Sequence, residues 1–247
     1  MPELTDFERE TYGWQLPIHG FGEEGQRRLK GATVLISRIG GLGGVVAQQL
    51  AAAGVGRLIL AHGGTLRPDD LNRQLLMNAG GLGTPRIQMA EAWLRQFNPR
   101  LELELVASNI TDDNVRQLVA GADIVADCAP LFQERYLLNR EIVAQRKPMV
   151  ECAVHELEIH LTTIVPGETP CLRCLYPELS TTWTRRFPVL GAVSGTAGAL
   201  AAMQVIQCLT GLGAPLKGTL LQMDLRTLSV TKLRIRRVAG CTECGSV

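Results

Sequence analysis

The chain carries no excess of charge of either sign: 25 lysines and arginines stand against 24 aspartates and glutamates. A protein so nearly neutral generates no field that would steer nucleic acid or an anionic membrane surface toward it, and neither is expected as a partner. It has no apolar run of the roughly 20 residues that a spanning helix requires. The longest weakly polar stretch, Val189 to Leu209, is rich in Gly, Ala and Ser, carries Gln204 and Gln207, and reads as a buried core helix. The opening residues Met-Pro-Glu-Leu-Thr-Asp-Phe-Glu-Arg-Glu are polar and acidic, unlike a secretory leader, so a cytoplasmic location is expected. No internal repeat, low-complexity tract or charged linker interrupts the chain. No Ser-His-Asp ordering or metalloprotease motif appears, and His19, His155 and His160 lack ligand partners at recognisable spacing. What is present, 46% hydrophobic and 20% charged residues over 247, is enough to bury a sizeable core.

Short apolar strands alternate with helical stretches through the first part of the chain. The strands are expected at Thr33–Ser37, Arg57–Ala61, Leu101–Val106, Asp123–Asp127 and Pro148–Ala153. The helices are expected at Gly44–Ala53, Arg86–Phe97, Asp112–Ala120 and Phe132–Gln145. Strands that read as continuous apolar runs are buried on both faces, which predicts a mainly parallel sheet covered by helices. After Ala153 the pattern changes to antiparallel strands, His160–Val165, Thr219–Met223 and Ser229–Arg236, with one long helix, Ser194–Gly211. The predicted fold class is therefore α/β: a Rossmann-like mixed sheet with helices on both faces and a C-terminal antiparallel extension.

The segment Thr33-Val-Leu-Ile-Ser-Arg-Ile-Gly-Gly-Leu-Gly-Gly44 is a strand running into a glycine-rich turn and a helix. Gly40, Gly41 and Gly43 allow the close backbone approach that a phosphate needs, and a helix N-terminus favours an anion. The same turn can equally serve only to pack a helix on a sheet. Arg38 occupies the first small-residue position of the dinucleotide pattern, and His62 stands where a ribose-binding acid belongs. Neutral histidine accepts one hydrogen bond and carries no charge to hold two hydroxyls, which argues against ordinary NAD use. In Asp69-Asp70-Leu-Asn-Arg73-Gln74, Arg73 is a candidate phosphate ligand through its forked donors, or a solvated arginine paired with Asp69 or Asp70.

Three of the seven cysteines, Cys128, Cys152 and Cys208, sit singly in apolar segments and read as small buried hydrophobes. The other four form two C-x-x-C pairs, Cys171/Cys174 and Cys241/Cys244, in turn-like sequence. This is the spacing of a tetrahedral four-thiolate zinc knot, which has no open position and is therefore structural. The rival reading is a metal-free redox pair, for which the usual thioredoxin-like context is lacking. A knot here would pin the C-terminal tail to the preceding crossover region, because metal binding supplies folding free energy.

With these pieces assembled, the chain resembles the MoeB/ThiF/HesA family, bacterial relatives of ubiquitin-activating enzymes. The resemblance runs from about Tyr12 to Gly245. It rests on Tyr12-Gly-Trp-Gln15, Gly25-Gln26, Gly40-Gly-Leu-Gly43, Ala52-Ala-Gly-Val-Gly56, Leu71-Asn-Arg-Gln74, Asn98-Pro99, Asp127-Cys128, Pro170-Cys-Leu-Arg-Cys174 and Gly240-Cys-Thr-Glu-Cys244. It implies one domain over residues 1–247: an N-terminal helical arm (1–30), a nucleotide-binding-type core (31–153) and a crossover and zinc-bearing half (154–247). It further implies a homodimer that binds ATP and magnesium and adenylates the C-terminus of a ubiquitin-like sulfur carrier. In that reaction a carboxylate attacks the α-phosphorus of ATP, so positive charge must neutralise both nucleophile and leaving pyrophosphate.

Carried over residue by residue, the family's ATP apparatus is largely replaced. Its arginine from the partner subunit falls on Trp14, its lysine on Arg86, its magnesium aspartate on Pro130, and an asparagine on Asp70. Arg73 and Asp127 are retained. The family's crossover-loop cysteine falls within Ser180-Thr-Thr-Trp-Thr-Arg-Arg186, which has none. The expected cofactor is thus structural zinc rather than ATP and magnesium. The leading functional reading is a non-adenylating partner of a ubiquitin-like sulfur carrier or of an active paralogue. Two others stay open: an adenylating enzyme in which Arg38, Arg73 and Arg86 share the phosphate charge, and a scaffold whose Arg38 and His62 draw another small anion.

Overall fold

The computed structural model describes residues 1–178 and 186–245. Its strands are β1 (Thr33–Ile36), β2 (Arg57–Ala61), β3 (Glu102–Val106), β4 (Ile124–Asp127), β5 (Met149–His155), β6 (Glu158–Ile164), β7 (Thr219–Asp224) and β8 (Ser229–Arg234). Its helices are α1 (Asp6–Thr11), α2 (Gly22–Gly31), α3 (Gly41–Ala53), α4 (Arg86–Phe97), α5 (Val115–Ala120), α6 (Phe132–Gln145), α7 (Leu172–Leu175) and α8 (Gly191–Thr210). All eight strands form one sheet in the order β3-β2-β1-β4-β5-β6-β7-β8. The first five run parallel and the last three extend it antiparallel.

The alternation of side chains along the inner strands builds two core layers. Val34 and Ile36, with Leu58 and Leu60, face the layer of α3, α4 and α8. Leu35, Ile59 and Val125 face the opposite layer, which holds α5, α6 and the knot cysteines. Each such side chain removed from water contributes about 1.5–3 kcal/mol, which is why a strand as short as β1 is held firmly. Helix α8 lies against α3 at close range. A Cβ on Gly198 would fall 2.7 Å from both the Leu42 carbonyl oxygen and Val45 Cβ, so only glycine permits the approach. By length and composition alone the 20-residue α8 is apolar enough to cross a membrane, as the core helix of a globular domain can be. Its packing against α3 and β5 is that of a core helix.

Several boundaries differ from those read in the sequence, for local reasons. Helix α3 begins at Gly41 rather than Gly44, because the Gly44 N–H already bonds the Gly40 carbonyl at 2.8 Å. Helix α5 begins only at Val115, since Asn114 accepts the Thr111 N–H and closes a turn first. A tight turn at Glu156 (φ 51°) extends β5 to His155 and starts β6 at Glu158. This hairpin carries the core's sheet directly into the C-terminal strands, across residue 153. Helix α8 starts at Gly191, where a Leu190 N-cap opens it, and β8 stops at Arg234 with its pairing to Thr219.

Candidate functional site

Strand β1 pairs with β2 on one side and β4 on the other, so the chain winds away in both directions from the crevice at their carboxyl ends. Such a switch point is where open α/β sheets bind ligands. A cavity of about 410 Å³ lies there, and Gly40, Gly41 and Gly43 form part of its wall together with Arg38, His62 and Arg73. Gly43 is required sterically, because a Cβ there would stand 1.7 Å from the Arg38 carbonyl oxygen. Parallel register brings Asp127 opposite Glu151, and Cys128 to Pro130 follow along the rim.

The cations expected near a phosphate are all tied to the protein's own oxygens. Arg38 is buried and forks onto Glu134 in the first turn of α6, with Nε to Oε2 at 2.8 Å and Nη2 to Oε1 at 2.5 Å. Arg86 is likewise buried and donates to Asp70 through Nε at 3.1 Å and through Nη2. Arg73 donates to the Asp69 carbonyl at 2.5 Å, to Asn72 at 3.0 Å and to Asp70 at 3.4 Å. Its alternative as a paired arginine is thus the arrangement present, although 28% of the side chain stays exposed beside the glycine turn. His62 accepts the Ile39 N–H through Nδ1 at 3.2 Å and so braces the turn at the position where the dinucleotide pattern places a ribose-binding acid.

Asp70 is the hub of this arrangement. Burial raises its pKa, yet the Arg86 hydrogen bond, the Arg67 N–H and the charges of Arg86 and Arg73 outweigh that and hold it below the usual value. Gln74 donates to the same carboxylate at 2.7 Å.

Behind the rim lies a second group, in which Asp127 is a candidate of the sequence and Arg135 and Glu151 are not. Arg135 on α6 donates to Glu151 at 2.6 Å, to Asp127 at 3.4 Å and to the Cys152 carbonyl at 3.1 Å. Asp127 also accepts from Ser37 at 3.3 Å and from the Ala129 N–H at 3.0 Å. Burial pushes Asp127 up against the opposing pull of Arg135. Burial likewise lifts Glu151 to about 7, with Arg135 opposing and Asp127 adding to it. Arg135, which burial alone would lower, is held up by the two carboxylates. A signal was available: a glutamate inside the apolar run Met149-Val-Glu-Cys-Ala-Val154 cannot be buried on both sides without a cationic partner.

The four C-x-x-C sulfurs converge on the other face of the sheet, all within 4.8 Å of one another. Cys171 caps α7 and Cys174 lies within it, while Cys241 and Cys244 lie in the C-terminal turn. The recorded separations are 4.0 Å for Cys171–Cys174, 3.8 Å for Cys171–Cys241 and 3.5 Å for Cys174–Cys244. A tetrahedron of metal–sulfur bonds of about 2.3 Å has edges of about 3.8 Å, so the set fits such an ion. No disulfide competes for these sulfurs. Burial raises the Cys171 and Cys174 thiols, which become thiolates readily only against a cation. The position is fixed by Asn139 of α6, which accepts the Leu172 N–H at 2.8 Å. Cys128 and Cys152 border the cavity instead, and burial raises both. The crossover-loop segment 180–185 lies outside the described residues.

A model of the ThiF family matches residues 12–243. The vegetative HesA protein of Trichormus variabilis is 49% identical to this chain, covering 100% of it and 93% of the relative. The molybdopterin-synthase adenylyltransferase of Escherichia coli is 34% identical over 99% of this chain and 100% of its own length. Among solved structures, Escherichia coli MccB superposes with a TM-score of 0.86 over 99% of this chain and 74% of that one. At 22% identity the likeness is one of fold.

Proposed function

The chain belongs to the ThiF family, and on that premise we propose that it serves a ubiquitin-like sulfur-carrier pathway as a non-adenylating partner of the carrier or of an active paralogue. The observation that carries this reading is the internal pairing of Arg38 with Glu134 and of Arg86 with Asp70. To recruit either cation, a triphosphate must leave a buried carboxylate behind. Stranding one partner of a buried pair costs about 3–5 kcal/mol, so two cost about 6–10. Micromolar affinity amounts to about 8 kcal/mol in all, and the displacement would consume it.

Magnesium fares no better at this site. Proline offers no side-chain oxygen at position 130, and Asp70, Asp127 and Glu134 already hold arginines. The four-cysteine set does fit a metal, and zinc held by Cys171, Cys174, Cys241 and Cys244 would be structural, fastening the C-terminal turn to α6 and α7. A cytoplasmic setting, where such thiols stay reduced, suits this assignment. A homodimer is supported by the apolar N-terminal surface, in which Trp14 is 98% exposed with Phe7 and Ile18 also outward.

Calorimetry with ATP, with and without magnesium, tests the proposal together with pyrophosphate exchange in the presence of the carrier. No binding and no exchange are expected. Micromolar, magnesium-dependent binding with carrier-dependent exchange would establish the second reading, an adenylating enzyme with a remodelled pocket. That reading is favoured by the cavity itself and by the adenylyltransferase named above.

A further inference from the structure

The far end of the cavity, beyond β4, has a chemistry unlike that of the glycine turn. Five buried side-chain nitrogen or oxygen atoms lack a hydrogen-bond partner among the described residues: Arg27 Nε, Gln74 Oε1, Asn139 Nδ2, Glu151 Oε2 and Arg173 Nε. The two that belong to residues of the cavity wall, Gln74 and Glu151, are both acceptors, and the three donors lie elsewhere. The assignment for Gln74 is fixed by its neighbour, since only the amide nitrogen can face the Asp70 carboxylate at 2.7 Å. A buried acceptor without a donor has lost its water and gained nothing; Gln74 lies beside Gly40 at the glycine turn, so at the far end the missing donor is the one that Glu151 Oε2 lacks.

Charge and ring placement agree with that deficit. Asp127, Glu151 and Arg135 form a group with two acids and one base. Glu158 adds a further carboxylate at the rim, with Arg226 at 3.5 Å from it. The whole chain has only 11 Phe, Trp and Tyr residues, and Phe132, Tyr176 and Phe187 all border this one cavity. Phe132 and Tyr176 meet edge to face, 5.3 Å between centroids. Aromatic faces beside a carboxylate favour an organic cation over an anion or a neutral guest. Glu151 stands two strands from the glycine turn, about 10 Å away at ordinary strand spacing, so this end can be filled whether or not anything occupies the turn.

We propose that the β5–β6 end of the cavity binds the protonated amine of a small organic ligand, seated against Glu151 among Phe132, Tyr176 and Phe187. The ammonium would supply the donor that the Glu151 side chain lacks, with the aliphatic part on the rings. A small adjustment of the wall is required, because Glu151 is only 1% exposed.

Three probes of one chain length test this on the whole protein: n-hexylammonium, 1-hexanol and hexanoate, titrated by calorimetry at pH 7. Hexylammonium should bind roughly tenfold more tightly than hexanol, with hexanoate weaker than both. Glu151→Gln should remove that preference while leaving hexanol binding as it was. A second readout needs no variant. Glu151 is faced by Arg135 from α6, Asp127 from β4, Cys128 beyond it, Cys152 beside it and Tyr176 after α7. Burial keeps both thiols and the phenol protonated, and it holds the nearby His160 below its ordinary value. Since Glu151 titrates at about 7, an incoming ammonium should expel about half a proton per site at pH 7, read from binding heats in two buffers. Equal affinity for hexylammonium and hexanol, or tight amine binding without proton release, would overturn the assignment.

Discussion

Replacing Arg38 by alanine removes the cation from a pair in which both side chains are almost wholly out of water, at 6% and 8% exposure. Glu134 is then a buried carboxylate without its fork of donors, which costs about 3–5 kcal/mol. With an unfolding entropy of roughly 2.1 cal/mol/K per residue, a chain of this length loses about 2 °C of Tm per kcal/mol. R38A should therefore melt about 6–10 °C below the parent. Glu134→Ala strands the arginine instead and should cost about as much. The double variant removes both charges together, so its loss should fall short of the sum by about 2–3 kcal/mol. Urea unfolding followed by circular dichroism, with all four proteins in one buffer, gives the cycle directly. A second arm separates pairing from ligand duty: Glu134→Gln frees Arg38 at the glycine turn and should raise pyrophosphate affinity. If Arg38 already served a phosphate, R38A would weaken ATP binding and leave stability nearly unchanged. Strict additivity in the cycle, or a loss under about 1 kcal/mol for R38A, would refute the pairing argument.

Metal analysis of the purified chain should give about one zinc per protein, and Cys174→Ser should lower that value and expose residues near 240 to proteolysis. Undiminished metal in the variant would move the ion elsewhere. Stability should also depend on Glu151 in a definite direction. Its folded pKa of about 7 lies above the unfolded value of 4.5, so the folded state binds the extra proton, and stability falls as pH rises between those values. The decline is on the order of 3 kcal/mol and should flatten in Glu151→Gln when unfolding is measured from pH 4.5 to 8. Asp70, held below its usual value, acts oppositely: its contribution is present above about 3.8 and lost as pH falls further. Gly43→Ala places a methyl 1.7 Å from the Arg38 carbonyl oxygen, so α3 must shift. Overpacking of that kind costs about 1–3 kcal/mol, and unchanged thermal unfolding would mean that the turn is looser than described.

Much of the sheet could be read from the chain because its signals are local. Apolar runs such as Val34-Leu-Ile36 announce strands buried on both faces, and the four knot cysteines carry their spacing with them. The glycine turn was equally visible, whereas its electrostatics were not. Taken singly, Arg38, Asp70, Arg86 and His62 read as separate changes to one expected phosphate site. In space they resolve into couples: Arg38 with Glu134, 96 residues later; Asp70 with Arg86, 16 residues later; and His62 with the Ile39 N–H. Pairing of this kind follows from which strand ends and helix starts meet, and no residue period records that. It also alters the physical conclusion. Asp70 in isolation would add negative charge where phosphates should lie, but Arg86 cancels that charge, neither member of the pair is available to a ligand, and Arg73 is drawn to the same carboxylate. Arg38 in isolation would add positive charge, and Glu134 cancels it in the same way. The glycine turn is therefore kept in shape by ion pairs that hold the oxygens and nitrogens a nucleotide would need. A change that frees one of them should restore anion binding and reduce stability together.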